Sequence, residues 1–511
     1  MVLALASLPY PIAWALTPPG HTFTWVLTTP FDVFSYLSKM GEAARGAWLL
    51  HMPYTSEPHP PALLFPQYVL LAKLGALTGV GNLVAFHLFR IAGGAVLLLT
   101  AYLFFAALSP LAAVRRAAFV FTAIGGSLSW LTSGFGVIGI DATVPESNTF
   151  HTLFANGHFA LAMAALYGVA MLVLRAAPVF PWRSMALAAM LSAVAVELQP
   201  FFVVLMGCVG TAWAGVFVLR RGVPAGWFKP QLALIPLAVV GTAALYWLQL
   251  QTNVATAGWI AQNLTPSPSP LHVLAGYGLI APLALLGLVR AWRNPESAGL
   301  TRDGALLLLA WAIALPVMLY APFQFQRRLS EGAHVPLSLL AAAGLWWWAQ
   351  RLGPWAWGRL RLASVALLGL GTLWLVALSL LGALTLRAPF YLPNDDVAAL
   401  QWLGRHLSEA DMVLSSPVMG NAIPAYAPVR VYWGHTLETS DQARKLAATD
   451  RFFSPVATAA ERCALLAEAG TTYVYEGAVE RGKLGGTLAG QPGLAVAQEW
   501  PGATVWRVTR C

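Results

Sequence analysis

Residues 62–79 read ALLFPQYVLLAKLGALTG. Whether this run crosses a membrane or lies along one decides the direction of everything after it. The chain has 511 residues, of which 58% are hydrophobic and 10% charged, and its mean hydropathy is +0.65. A soluble domain cannot bury that much apolar surface, so the sequence reads as a multi-span membrane protein. Apolar runs of bilayer length occur near residues 2–17, 84–108, 117–134, 158–177, 230–250, 271–290, 303–321, 334–350 and 362–386. The first is short and has no basic residues before it, so it reads as a retained helix rather than a cleaved leader. The run 184–219 as one helix would measure about 54 Å, against a hydrocarbon core of roughly 30 Å. It is interrupted by VELQPF (196–201), which predicts two short spans meeting there.

Charge then decides residues 62–79. Take the N-terminus as cytoplasmic and let 62–79 lie on the membrane surface. The five loops expected inside then hold Arg115 and Arg116; Arg175 and Arg183; Arg220, Arg221 and Lys229; Arg290, Arg293 and Arg302; and Arg351, Arg359 and Arg361. The other side keeps chiefly Lys39, Arg45, Lys73, Arg327 and Arg328. That asymmetry follows the positive-inside rule, and making 62–79 a span would invert it. The expectation is 11 spans, a long first outer loop over residues 18–83, and an outward C-terminus.

The division expected is a membrane domain over residues 1–390 and a soluble domain over 391–511. From Asn394 onward the apolar runs shorten. DMVLSSP, VRVYWG and TTYVYEG read as strands, and GLAVAQEW with ATVWRV as a closing hairpin. DDVAALQWLGRHL, SDQARKLAATDRFF and ATAAERCALLAEAG read as helices. The fold class is therefore mainly α: a polytopic helical bundle with a C-terminal extracytoplasmic α/β domain.

The net charge of +9 comes with no basic block and no zinc-finger spacing, so nucleic acid is not an expected partner. Cys208, Cys463 and Cys511 are scattered and predict no disulfide framework.

This topology gathers the polar outliers on the outer side. The first loop carries Asp32, Tyr36, Lys39, Glu57 and His59. The second, FGVIGIDATVPESNTFHTLFANG (135–157), carries Asp141, Glu146 and His151, with His158 at the next helix start. The loop FQFQRRLSEGAH (323–334) adds Arg327 and Arg328. Asp32 sits between aromatics at a helix start, where apolar surroundings raise a carboxyl pKa toward general-base work. His151 and His158 are spaced to share a helical face, a weak metal signal. A guanidinium pair suits a phosphate. Each has a plainer reading: a solvated acid, a helix cap, or an interface anchor that contributes little to folding.

The stretches FDVFSYLSKM, WLLHMPYTSEPH, DATVPESNTF, GHFALAMAALYG, QRRLSEGAHVPL and NAIPAYAPVRVYWGHTLET resemble a group of bacterial membrane proteins of the GT-C class of polytopic glycosyltransferases. The resemblance covers most of the chain. It implies a polyprenyl-phosphate-linked sugar donor and an unidentified acceptor hydroxyl at the outer face of a bacterial plasma membrane. It places Asp32 as catalytic base, Asp141 and Glu146 at the second-loop acid positions, and Arg327 and Arg328 at the lipid phosphate. Tyr36, Lys39, Glu57 and His59 of the first loop are expected to bind substrate with the arginines, and Asp141, Glu146, His151 and His158 are candidates for an acceptor or for a divalent metal such as Mg or Mn. Two rival readings are a non-catalytic scaffold and a lipid or polysaccharide transporter. Against transport, intramembrane charge is scarce and no inverted repeat is visible.

Overall fold

The computed structural model describes residues 1–251 and 253–510. Contacts divide the chain into two compact units. One comprises Met1–Ser7, Leu88–Trp247 and Leu264–Leu378; the other comprises Leu8–His87, Leu248–Asn263 and Ser379–Cys511.

Six described helices are long and apolar enough to cross a membrane: Asn82–Leu108, Gly157–Ala176, Phe202–Arg221, Pro230–Gln251, Arg302–Tyr320 and Ala356–Leu384. Two further pairs qualify only together. Ala112–Ile124 with Ser129–Phe135 bends by 42°, and Pro270–Tyr277 with Ile280–Arg293 by 87°. The protein is a multi-pass membrane protein, with six to eight segments among the described residues long and apolar enough to cross. The three other expected spans fall on Val2–Ala15, Trp182–Leu198 and His334–Leu352, which fall short of that length or apolarity. The run 184–219 divides at VELQPF as expected. Trp182–Leu198 ends at extended Gln199, and Phe202–Arg221 follows.

Within the first unit, small residues let helices approach. A Cβ on Gly287 would lie 1.9 Å from the Leu340 carbonyl oxygen, and one on Gly344 would lie 2.3 Å from that of Leu283. Neither glycine tolerates a side chain, so the helices Ile280–Arg293 and His334–Leu352 pack backbone to backbone, as membrane helices do.

The second unit has two sheets. Strands β1 (His21–Phe23) and β2 (Tyr391–Pro393) pair antiparallel, with Thr22 opposite Leu392. Strands β3 (Met412–Leu414), β4 (Arg430–Val431), β5 (Tyr473–Glu476), β6 (Leu494–Glu499) and β7 (Thr504–Val508) form a sheet of order β4-β3-β5-β7-β6. The first three are parallel and β6–β7 is the expected hairpin. Val413, Val474 and Val505 are fully buried in it. The helices Asn394–His406, Gln442–Phe452 and Ala459–Ala469 fall where expected. The first has Asp395 and Asp396 in its first turn and Arg405 and His406 in its last, opposing the helix dipole. The third starts on a capping box between Thr458 and Glu461.

Two expectations are corrected here. Cys463 is disulfide-bonded. His151 and His158 do not share a helix, because Thr149–Ala155 ends at extended Asn156 and a new helix begins at Gly157.

Residues 62–79 form the helix Pro66–Thr78. Its 13 residues give about 20 Å, too short to cross a roughly 30 Å core.

Candidate functional site

The helix Pro30–Ala44 organises the second unit's polar chemistry. It starts with Pro30 at its first position, after Thr29 in the left-handed region at φ 42°. Val33, Phe34, Leu37 and Met40 are buried. Asp32, Ser35, Lys39 and Glu42 recur at three- and four-residue steps, so they share the other face.

The segment following β4 meets that face. Lys39 Nζ donates to Glu438 Oε2 at 2.8 Å, Glu438 Oε1 at 2.9 Å and Ser35 Oγ at 2.6 Å. Lys39 is 1% and Glu438 5% exposed, so this is a buried ion pair. Burial pushes the Glu438 carboxyl up, but Lys39, His435 and Ser35 outweigh it and hold it below its ordinary range.

About two turns nearer the helix start than Lys39, His435 Nε2 stands 3.6 Å from Asp32 Oδ1. His435 Nδ1 faces the backbone N–H groups of Leu437 at 3.2 Å and Glu438 at 3.3 Å. Nδ1 therefore carries the lone pair, and the ring proton sits on Nε2, toward Asp32. Asp32 is more open than the reading of it between aromatics implied. Its side chain is 36% exposed, and Phe31 packs edge-on to His435 at 6.4 Å.

The other first-loop candidates fall around this helix. Tyr36 stacks on Tyr68 at 4.5 Å. Glu57 Oε2 pairs with Lys445 Nζ at 2.7 Å. Burial pushes the Glu57 carboxyl up, but Lys445 and Thr55 hold it below its usual range. His59 uses both ring nitrogens within the chain: Nε2 accepts from Met52 N–H and Nδ1 donates to the Glu57 carbonyl, each at 2.9 Å. Burial lowers its pKa.

A cleft of about 400 Å³ lies beside these residues, with Glu42, Arg45, His51, Glu57, His59, Glu409 and Arg430 among its lining. Among the described residues, Glu42, His51 and Glu409 bring ligand atoms within 4.8 Å of one another. His51 Nδ1 is 2.9 Å from Glu42 Oε1.

The first unit holds the second group. The second loop turns through Ile140–Thr143 and Pro145–Ser147 into Thr149–Ala155. Asn148 caps that helix through the His151 N–H. His151 Nδ1 donates to the Asp141 carbonyl at 2.7 Å, and burial lowers the His151 pKa. Burial lifts Asp141 to about 7, against weaker lowering by Ser127 and Ser129. Glu146 is buried and accepts from Arg328 Nη1 at 2.5 Å. Glu331 is fully buried, with no hydrogen-bond partner for either carboxyl oxygen. Burial first, then Glu146, drives its pKa well up against the pull of Arg328. His158 is buried with its ring 4.3 Å from Phe159. Arg327 donates its N–H to the Thr265 carbonyl at 3.1 Å. Asp141, Glu146, His151 and His158 do not form a three-ligand set among the described residues.

Sequence reasoning missed His435, Glu438 and Lys445 as members of the first group. The signal for His435 and Glu438 was the polar run GHTLET (434–439), an unusual density of hydrogen-bonding side chains shortly after a strand. It also missed Glu42, His51 and Glu409, which are far apart in sequence and show no ligand spacing.

No family model matches the chain, and no curated protein matches it. Solved structures do. ArnT from Cupriavidus metallidurans in the apo state superposes with a TM-score of 0.58 at 15% identity, covering 99% of this chain and 96% of that one. The same protein bound to undecaprenyl phosphate gives 0.56 at 14%, covering 99% and 97%. The Archaeoglobus fulgidus oligosaccharyltransferase, tethered with an acceptor peptide, gives 0.55 at 14%, covering 100% and 74%. The fold of this chain is the GT-C fold.

Proposed function

We propose that this GT-C chain is a membrane glycosyltransferase that moves a sugar from a polyprenyl-phosphate carrier to an acceptor hydroxyl at the outer face of a bacterial plasma membrane. The observation that carries the reading is Asp32. It is an ionisable, solvent-reached carboxyl at the head of a helix, beside an imidazole N–H. The fold likeness to ArnT bound to undecaprenyl phosphate and to an oligosaccharyltransferase holding an acceptor peptide supports the substrate class.

Asp32 takes the acceptor hydroxyl proton as the acceptor oxygen attacks the anomeric carbon. The bond from that carbon to the carrier phosphate breaks, and the phosphate leaves with the electron pair. Within the first unit, Arg327 and Arg328 are the guanidinium pair proposed to bind an anionic lipid phosphate. Orientation rests on the basic loops, and the disulfide at Cys463 suits an oxidising compartment. Glu42, His51 and Glu409 offer an O,N,O donor set that fits a divalent cation, with the imidazole favouring Mn over Mg. Such an ion would supply a fixed positive charge for anionic groups of the substrates.

The test is release of undecaprenyl phosphate from a panel of undecaprenyl-phosphate-linked sugars by protein in liposomes. No release with any donor, from folded protein given a mixture of membrane acceptors, would refute the reading.

A further inference from the structure

His435 belongs to the C-terminal segment and takes no step in the reading above, yet its ring faces the residue that reading depends on. Two backbone N–H groups, from Leu437 and Glu438, point at its Nδ1. That end of the ring is a loop anchor and cannot serve as a base. The other end, Nε2, carries the proton and stands 3.6 Å from Asp32 Oδ1. That separation is an ion-pair distance, a few tenths of an ångström beyond a hydrogen bond, and catalytic contacts of this kind commonly tighten in the Michaelis complex. The ring is held on every side. Tyr54 packs against it at 5.8 Å and Phe31 at 6.4 Å, and His435 is 4% exposed. Asp32, by contrast, keeps its side chain open to solvent.

We propose that His435 is a positioning residue for Asp32: its Nε2–H fixes one carboxylate oxygen and leaves the other aimed at the acceptor hydroxyl. This rests on Asp32 being the base. The usual order of an acid–imidazole pair is reversed here. The imidazole is the orienting group because its second nitrogen is occupied by backbone, and the carboxylate is the exposed one. The soluble domain thereby supplies a part of the base's environment that the first loop lacks. The groups facing this pair are Tyr68, which interacts electrostatically with Asp32, and Glu438, which does so with His435 while paired to Lys39. A donated N–H favours the charged carboxylate, so its loss makes Asp32 easier to protonate.

Two substitutions separate the ring's two ends. His435→Asn places an amide oxygen where Nδ1 lies, keeping the loop anchor and losing the donor. His435→Gln places an amide N–H where Nε2 lies, keeping the donor and losing the anchor. The direct readout is the pH dependence of Asp32 modification by a water-soluble carbodiimide, which reacts with the protonated carboxyl, followed by peptide mass in the full-length protein in detergent. His435→Asn should move the midpoint up by about one pH unit, and His435→Gln should leave it near wild type. In the liposome release assay His435→Asn should lose about tenfold in turnover, and His435→Gln should lose less. An unshifted midpoint in His435→Asn, or the two variants behaving in the opposite order, would overturn the proposal. Full turnover in Asp32→Asn would instead overturn the base assignment, and the midpoint measurement would still report on the contact.

Discussion

Lys39 and Glu438 lie 399 residues apart in the chain and 2.8 Å apart in the structure. Both are buried, and Ser35 bonds each of them. Removing one partner of such a pair strands a charge in a low-dielectric interior, which costs about 3–5 kcal/mol. Lys39→Met should therefore lower stability by that amount at neutral pH. The sign of the pH dependence is fixed. The Glu438 carboxyl is held below its ordinary range in the folded state, so its contribution is present above the unfolded pKa of about 4.3. It is lost as pH falls through the folded value. The gap between wild type and Lys39→Met should close as unfolding is measured at progressively more acid pH. A constant gap would mean that Glu438 is not the partner that matters.

Arg328 and Arg327 should separate in mutagenesis. Arg328 compensates the buried carboxylate of Glu146, so the sequence-based expectation that both arginines contribute little to folding does not extend to Arg328. Arg328→Gln should destabilise by about 3–5 kcal/mol, and adding Glu146→Gln should recover most of the loss. Arg327→Gln should leave the melting temperature near wild type while weakening undecaprenyl phosphate binding. Unchanged binding in that variant would reduce Arg327 to an interface anchor.

Asp141 should make the protein less stable as the medium becomes alkaline. Its carboxyl is lifted to about 7 by burial, above the unfolded value of about 3.9. The stability that comes with its neutral form is complete below the unfolded value and is lost as pH rises through about 7. Asp141→Asn, which stays neutral, should be more stable than wild type at pH 8, by roughly 4 kcal/mol for a shift of about three units. The two should converge near pH 4. Denaturant midpoints at the two pH values check this, and equal midpoints at pH 8 would contradict it.

The donor set of Glu42, His51 and Glu409 predicts a divalent-cation effect local to the cleft. Mn²⁺ should broaden magnetic resonance signals of a label placed near His51, and His51→Ala should abolish the broadening. Turnover of metal-stripped protein should fall in wild type and be insensitive to Mn²⁺ in that variant. Broadening that persists in His51→Ala would place the ion elsewhere.

The membrane character, the break at VELQPF and the strands and closing hairpin of the C-terminal sheet were legible, because apolar run length and alternation are local properties of sequence; the strand order was not. The 87° bend between Pro270–Tyr277 and Ile280–Arg293 was not, since its cause is Gly278 at φ +50° against the backbone of Ser127 and Leu128. Asp32 was singled out from its position after the first apolar run. Its relation to His435 was not, because a contact across some four hundred residues leaves no spacing to count. Phe31 and Phe34 were read as the walls around Asp32. In the structure Phe34 turns to the core and His435 takes the place beside the carboxyl. His151 and His158 looked like one face because an unbroken helix was assumed through Asn156.

The most direct test of the account is Asp32→Asn in protein reconstituted into liposomes with the donor sugar that wild type uses. Asparagine keeps the size and polarity of the side chain within the helix's first turn, but it cannot take the acceptor proton. Turnover should fall by about 10²–10⁴-fold, with the melting temperature and undecaprenyl phosphate binding close to wild type. Transfer at a near-normal rate by that folded variant would contradict the assignment of Asp32 as the base.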